Sequence, residues 1–288
     1  MAKNTKIQWC DSTANPTVGC DGCELWNLTT GVKKCYAGKI TERFGKSNAG
    51  LADSFDAVAA VTGRMEEAAK WRDLAGTKRP DKPWLDGLPR LIFVSDMADA
   101  LSEAIEFEYL KSEIIDNVTT PNGLRHQWLW LTKRPARMAE FSVWLTAQDV
   151  TWPANLWAGT SITTQATTTR VRDLLKVGGP NSIRFLSVEP QWEPVNVRKW
   201  LPRLDWLIQG GESGTGAKPF DIAWARQMLA DCRKAGVPYF LKQLGSWVVR
   251  DGERVAFEDY SAGDWSEWPR DLRVRQMPIK RPRGRRRR

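Results

Sequence analysis

A chain of 288 residues with 42% hydrophobic content can bury a full core, and its length suits one large α/β domain better than two small ones. Its formal charge is +9, but Lys280, Arg281, Arg283 and Arg285 to Arg288 supply seven cations after Met277, so the remainder carries only about +2 (9 − 7) and the basicity is mainly a tail. The opening MAKNTKIQW lacks the apolar core of a signal peptide and no apolar run approaches the ~18 residues of a membrane span, so a soluble cytoplasmic protein, not exported by that route and with no membrane partner, is expected.

In chain order, IQW (7–9) predicts a short first strand ending at Cys10, followed by a cysteine-bearing loop over 19–38 and a helix over roughly 53–72. Apolar stretches then alternate with amphipathic helical patterns. The predicted strands are LIFVSD (91–96), HQWLWLTK (126–133), NLWAGTSI (155–162), SIRFLSVEP (182–190), LDWLIQGGES (204–213) and PYFLKQLG (238–245). Helices are predicted over about 101–117, 135–147, 164–177 and 221–235. This rhythm signals parallel βα units. The class expected is α/β, a partial or complete parallel βα barrel with an N-terminal cysteine loop and a basic C-terminal tail, with an open doubly wound sheet as the alternative winding. In either architecture ligands bind at the carboxyl ends of the strands. Asp96, Lys133, Ser161, Glu189, Glu212 and Lys242 are therefore expected to point toward one mouth.

Beyond residue 246 the pattern turns irregular: a hairpin around Asp251-Gly252, a Trp-rich stretch, then the basic run. The expected organisation is a catalytic domain over 1–246, a cap over 247–276 and a disordered basic arm over 277–288 that attracts phosphate backbones. Trp26, Trp265 and Trp268 fall outside obvious strands, where surface packing or stacking on a base would occupy them.

Five cysteines are too few for a disulfide scaffold in a chain of this length, and three of them lie between positions 20 and 35. That crowding favours a metal site in a reducing compartment. In GCDGCELWNLTTGVKKC, Gly19 and Gly22 ease a tight backbone around Cys20 and Cys23, and Cys35 follows after eleven residues. A [4Fe-4S] cluster that cleaves S-adenosylmethionine (SAM) needs one iron left open, so three protein thiolates suit it. Structural zinc needs four ligands, which Cys10 or the sole histidine, His126, would complete. Cys232, inside a helical pattern, reads as an ordinary buried thiol.

Several blocks in order, IQW, NPTVGC, CYAG, ERFG, FVSDMAD, LTKRPARM, LWAGTSI, RFLSVEP, DWLIQGGESGTGAKP and AGVPYFLKQLGSW, make the chain resemble a phage-borne three-cysteine protein family that also occurs in bacterial genomes. That family is grouped with radical SAM enzymes and spore photoproduct lyase-like proteins. The resemblance implies a [4Fe-4S] cluster at Cys20, Cys23 and Cys35, SAM over the strand ends, a reductant such as flavodoxin or ferredoxin, and a location in the cytoplasm of a bacterial host. The cysteine spacing departs from the CxxxCxxC usual in radical SAM enzymes, because here the close pair comes first. Gly210, Gly211 and Glu212 form a GGE triplet on a late strand, where the glycines let backbone approach a ligand and Glu212 offers a carboxylate, or the three make a tight structural turn.

The chemistry expected is reductive cleavage of SAM to a 5'-deoxyadenosyl radical that abstracts hydrogen, with Asp96, Ser161, Glu189, Gly210, Gly211 and Glu212 about the SAM. Lys133, Arg134, Lys218 and Lys242 are expected to hold phosphates or a carboxylate of the substrate. The basic arm and the family's phage and photolyase-like kinship point to DNA bases that are modified, isomerised or repaired. Two other readings stand beside this one: a non-catalytic zinc- or cluster-bearing nucleic-acid binder, and hydrolysis with Glu189 and Glu212 as an acid/base pair.

Overall fold

In a computed structural model of the chain, residues 1–48 and 50–278 are described. The strands are β1 (Ser12–Ala14), β2 (Thr17–Val18), β3 (Trp26–Asn27), β4 (Val32–Lys33), β5 (Ala59–Ala60), β6 (Leu91–Val94), β7 (Gln127–Thr132) and β8 (Leu156–Ile162). They continue as β9 (Arg184–Val188), β10 (Trp206–Gly210), β11 (Phe220–Asp221), β12 (Tyr239–Gln243), β13 (Val248–Arg250) and β14 (Glu253–Val255). The α-helices are α1 (Tyr36–Phe44), α2 (Arg64–Ala69), α3 (Phe107–Leu110), α4 (Asp116–Val118), α5 (Pro135–Ala147), α6 (Arg170–Leu174) and α7 (Ile222–Ala235). A π-turn at Lys111–Ile115 joins α3 to α4, so the helix expected near 101–117 begins later and runs as one helical stretch over 107–118.

The hydrogen-bonded order of the seven-stranded sheet is β1-β6-β7-β8-β9-β10-β12. The strands add in sequence order without the reversal a doubly wound sheet requires. The fold is thus α/β, a parallel sheet wound as a partial βα barrel. Both sheet edges are covered rather than joined: Ala2 bridges Thr13 on β1, and Arg275 bridges Phe240 on β12. Covering each edge with a short stretch of chain removes the exposed ladder without closing the barrel.

The chain divides into two compact units. Unit 1 comprises residues 1–162 and 166–186, and unit 2 the rest. In unit 1, β8 is buried along its whole length, as a central parallel strand must be. Trp9 packs on Phe93 with ring centroids 4.6 Å apart, and Gly159 is held glycine by Phe185, whose ring lies 2.2 Å from where a Cβ would stand. At the amino ends of β1 and β6, the buried Arg79 guanidinium donates to both oxygens of Asp11, at 2.7 and 3.1 Å, while Asp11 also accepts from the Leu91 amide.

In unit 2, α7 is capped by Asp221, whose side chain accepts from the Ala223 amide, and ends at Gly236 in the left-handed conformation. The hairpin expected at Asp251-Gly252 joins β13 and β14 in antiparallel register, with φ positive at both turn residues. The basic arm expected over 277–288 lies, from residue 279 on, outside the described residues.

Three expectations are corrected. IQW is not a strand, since the first strand begins at Ser12, after Cys10. The helix expected over 53–72 shrinks to Arg64–Ala69, because the preceding residues wrap back as β5 to pair with β2. Trp26 and Trp268 are buried and packed, so neither is a surface platform. No described helix is long and apolar enough to cross a membrane.

Candidate functional site

Unit 1 gathers the cysteines at the carboxyl ends of its parallel strands. After β1 the chain turns through Gly19, which has φ +73° and leaves no room for a side chain: a Cβ there would sit 2.1 Å from the Ala57 carbonyl oxygen. Gly22 has φ +91° and is equally crowded, by the Trp26 carbonyl oxygen at 2.6 Å. Between and beside these glycines, the Cys20 amide donates to the Phe55 carbonyl, and Cys23 and Trp26 exchange backbone hydrogen bonds. The eleven residues separating Cys23 from Cys35 are used by the β3–β4 hairpin, which brings the chain back so that the Lys34 and Cys35 amides both donate to the Leu25 carbonyl. A long spacer therefore returns the third thiol to the neighbourhood of the first two.

None of the three cysteines is in a disulfide, and each is partly buried. Cys20 and Cys35 pack with Met97 against Trp26, Ala37 and Phe55. Burial pushes the Cys20 thiol up to about 12, with the Asp99 carboxylate adding to it and Arg134 opposing. Burial also raises Cys23, against the pull of Lys133. The Leu25 amide donates to the Cys23 sulfur at 3.4 Å. Among the described residues no three Cys, His, Asp or Glu side chains draw together into a closed metal-coordinating group, so the thiols are neighbours and not a preformed cage.

The loop is pinned by charge. Arg134, just beyond β7, donates to Asp21 and to the Gly22 carbonyl, and Ser102 donates to the other Asp21 oxygen. Arg170, opening α6, grips Glu24 with two bonds of 2.9 and 2.7 Å and donates a third to the Ser161 carbonyl at the end of β8. Burial works against ionisation of Glu24, yet Arg170 and then Lys133 hold its carboxyl down near 2. An acid beside each member of the close cysteine pair is thus bound to an arginine at the mouth. Beneath them, the buried Asp99 accepts from Thr132 Oγ1 at 2.9 and 2.8 Å and from the Lys133 amide, fixing the turn that carries Lys133 and Arg134.

Asp96, at the end of β6, accepts from Asn15 Nδ2 at 2.5 Å, and burial raises its carboxyl above the usual range. Tyr36 donates its hydroxyl to the Asp96 carbonyl. Ser95 stands in the left-handed region at φ +72°, and its buried hydroxyl has no partner among the described residues. A non-glycine residue in that conformation beside an orphaned hydroxyl is the kind of local cost that ligand sites carry.

Cys10 and His126 are not at this mouth. Asp11, next to Cys10, bonds the start of β6, and His126 precedes β7 with its Nε2 against the Ala69 carbonyl, so both sit at the amino ends of strands whose carboxyl ends face the loop. Neither completes a zinc site with the other three cysteines.

Unit 2 holds a separate polar cluster. Lys242 on β12 pairs with Glu189 just past β9. Glu212 Oε2 accepts from Trp192 Nε1 and from the Lys218 amide, both at 3.0 Å, and the Lys218 ammonium lies 4.1 Å from the Trp192 ring centre. Gly211 is obligatory, since a Cβ would sit 2.1 Å from the Leu244 carbonyl oxygen, whereas Gly210 has ordinary clearance. The GGE triplet is in this respect a packed turn, with one Glu212 oxygen already engaged. Below it, Tyr239 donates to Gln209 and Gln209 to Gln191, a buried and fully paired chain.

Of the residues singled out from sequence, Cys20, Cys23, Cys35, Asp96, Lys133, Arg134 and Ser161 belong to unit 1, and Glu189, Gly210, Gly211, Glu212, Lys218 and Lys242 to unit 2. Asp21, Glu24, Asp99 and Arg170 escaped the sequence reading. The acids flanking the close cysteine pair were a usable signal; Arg170, in a run of threonines, gave none.

A family model described as a protein of unknown function, DUF5131, matches residues 4–277. The chain belongs to the DUF5131 family. No curated protein and no solved structure matches it. As a DUF5131 member its function has to be argued from the residues.

Proposed function

We propose that this DUF5131 protein is a cytoplasmic radical SAM iron-sulfur enzyme acting on nucleic acid, with its cluster held by Cys20, Cys23 and Cys35. The observation that carries the reading is the convergence of three free thiols on one hairpin-closed loop, pinned by Arg134 and Arg170 to the carboxyl ends of β7 and β8. The donor set fits the group: three thiols at that end, with Cys10 at the opposite end of β1 and Cys232 on α7, leave a [4Fe-4S] cluster one iron without a protein ligand. Bound there, such a cluster supplies the electron that cleaves SAM to methionine and a 5'-deoxyadenosyl radical.

The chain's own part is to hold charges and orient. Lys133 and Arg134 offset the negative charge of the thiolates, whose pKa values burial otherwise raises. Asp96, fixed by Asn15, and the buried Ser95 hydroxyl offer polar partners for the amino and ribose groups of SAM, and Ser161 on β8 is a further candidate. In unit 2, Glu189 is paired with Lys242 and Glu212 accepts from Trp192 and the Lys218 amide, so the proposed SAM contacts rest on unit 1, and the Lys218 ammonium is the unit 2 cation proposed for a substrate phosphate. The Lys218–Trp192 stack suits a nucleotide, and the basic arm adds sequence-independent attraction to DNA, the substrate proposed for base modification, isomerisation or lyase-type repair.

The alternatives are less well supported. A four-ligand zinc binder lacks its fourth ligand at the loop, and a Glu189–Glu212 hydrolase would need carboxylates that Lys242 and Trp192 already engage. Anaerobic reconstitution with iron and sulfide tests the reading. About four irons per chain, lost in each of Cys20→Ala, Cys23→Ala and Cys35→Ala, are expected; a colourless protein holding one zinc per chain would contradict it.

A further inference from the structure

Helix α1 is amphipathic the wrong way round. The residues it buries are small, Ala37, Gly38 and Thr41, and Gly38 lies so close to the Trp26 indole that a Cβ would sit 2.4 Å from the ring. Its large apolar side chains face solvent instead: Tyr36 is 53% exposed, Ile40 38% and Phe44 44%, with Leu28 of the β3–β4 turn at 57%. Positions 36, 40 and 44 are four apart and form one ridge along the helix. A helix serving only to pack would turn that ridge inward. Among the described residues no other helix exposes more than one large apolar side chain, and scattered single exposures are ordinary whereas a contiguous ridge marks a contact surface.

The ridge is flanked by cations. Lys39, Arg43 and Lys46 are exposed and form no ion pair among the described residues, the Arg43 guanidinium lying 5.0 Å from the Phe44 ring centre, while Lys33 is neutralised by Glu42. The helix begins at the residue after Cys35, and its first residue touches the Asp96 carbonyl. An apolar ridge framed by unpaired positive charge, directly outside the thiols, fits a partner with an apolar centre and an acidic rim. Duplex nucleic acid, whose outer face is phosphate with its bases stacked inside, offers no apolar face to cover Ile40, Phe44 and Leu28.

We propose that α1 and the β3–β4 turn are the docking face for a small acidic electron-carrier protein that delivers the reducing electron to the cysteine site. The inference rests on the iron-sulfur reading above. In the transfer the carrier is oxidised by one electron and the cysteine-bound cluster is reduced by one; no bond or proton changes hands.

Flavodoxin serves as the acidic probe. Its binding to the full-length, reconstituted protein is measured at low and high salt for the parent, for Lys39→Glu/Arg43→Glu, for Ile40→Glu, and for Arg233→Glu/Lys234→Glu on α7 as a control of equal charge. Anaerobic reduction is followed in parallel with reduced flavodoxin and with dithionite. The α1 variants are expected to bind about tenfold more weakly and to accept electrons from flavodoxin correspondingly slower, with dithionite reduction unchanged and the α7 control close to the parent. Equal binding by parent and α1 variants, or equal weakening in the α7 control, would overturn the docking face. A parent protein that dithionite cannot reduce would instead overturn the iron-sulfur reading and, with it, the electron-carrier role.

Discussion

At the scale of single residues, the cysteine loop is defined less by its thiols than by what keeps them in place. Gly19 and Gly22 take backbone conformations and clearances that no side chain allows, and Asp21 and Glu24 tie the same turn to Arg134 and Arg170. The cysteines and glycines could be read from their spacing, because tight turns and metal ligands both constrain residue type. The arginine partners could not, since each is brought to the loop only by the winding of the barrel, from 113 and 146 positions away. His126, the only histidine, is a residue whose role changes between sequence and structure. It is fully buried against Ala69 rather than available to a metal, and burial lowers its pKa below 6.5. A base with a lower pKa folded than unfolded leaves the unfolded chain holding more protons, so the protein loses stability as pH falls below 6.5 and the loss continues to the folded-state value. Denaturant titrations at pH 7.5 and 5.5 are expected to show this loss, at up to about 1.4 kcal/mol per pH unit, and His126→Gln is expected to flatten it; an unchanged slope in the variant would assign the effect elsewhere.

At the scale of elements, the strands from Leu91 to Gln243 follow the sequence closely, because a parallel strand buried on both faces needs an uninterrupted apolar run that no loop can imitate. The N-terminal third is less legible. Its strands β1 to β5 are two or three residues long and are held by hairpins and charge rather than by periodicity, which is why the helix expected over 53–72 contracts to α2 and the strand expected at IQW moves to Ser12–Ala14. The contact between β8 and β9 shows how tightly the legible part is packed: Gly159→Ala would place a methyl against the Phe185 ring, 2.2 Å away. Equilibrium unfolding is expected to show a loss of about 1–3 kcal/mol, with Phe185→Leu in the same chain restoring part of it. Additive losses in the double variant would show that the two residues do not compete for the same space.

At the scale of the whole molecule, the sequential strand order chooses the partial barrel over the doubly wound sheet, a choice the βα rhythm alone left open. Edge coverage by Ala2 and Arg275 explains how seven strands suffice without closure, and neither residue stands out in the sequence. The carboxyl ends of the unit 1 strands carry the cysteines, two arginine pins, Lys133 and a strained Ser95, while unit 2 carries its own paired polar cluster. Membership of DUF5131 covers nearly the whole chain, so the loop and the strands belong to one family architecture. The proposed role of the three thiols is reductive SAM cleavage. The reconstituted protein, given dithionite and SAM without substrate, is predicted to release 5'-deoxyadenosine, and the three cysteine variants are predicted to release none. SAM left intact by a protein that holds its full complement of iron would contradict the account.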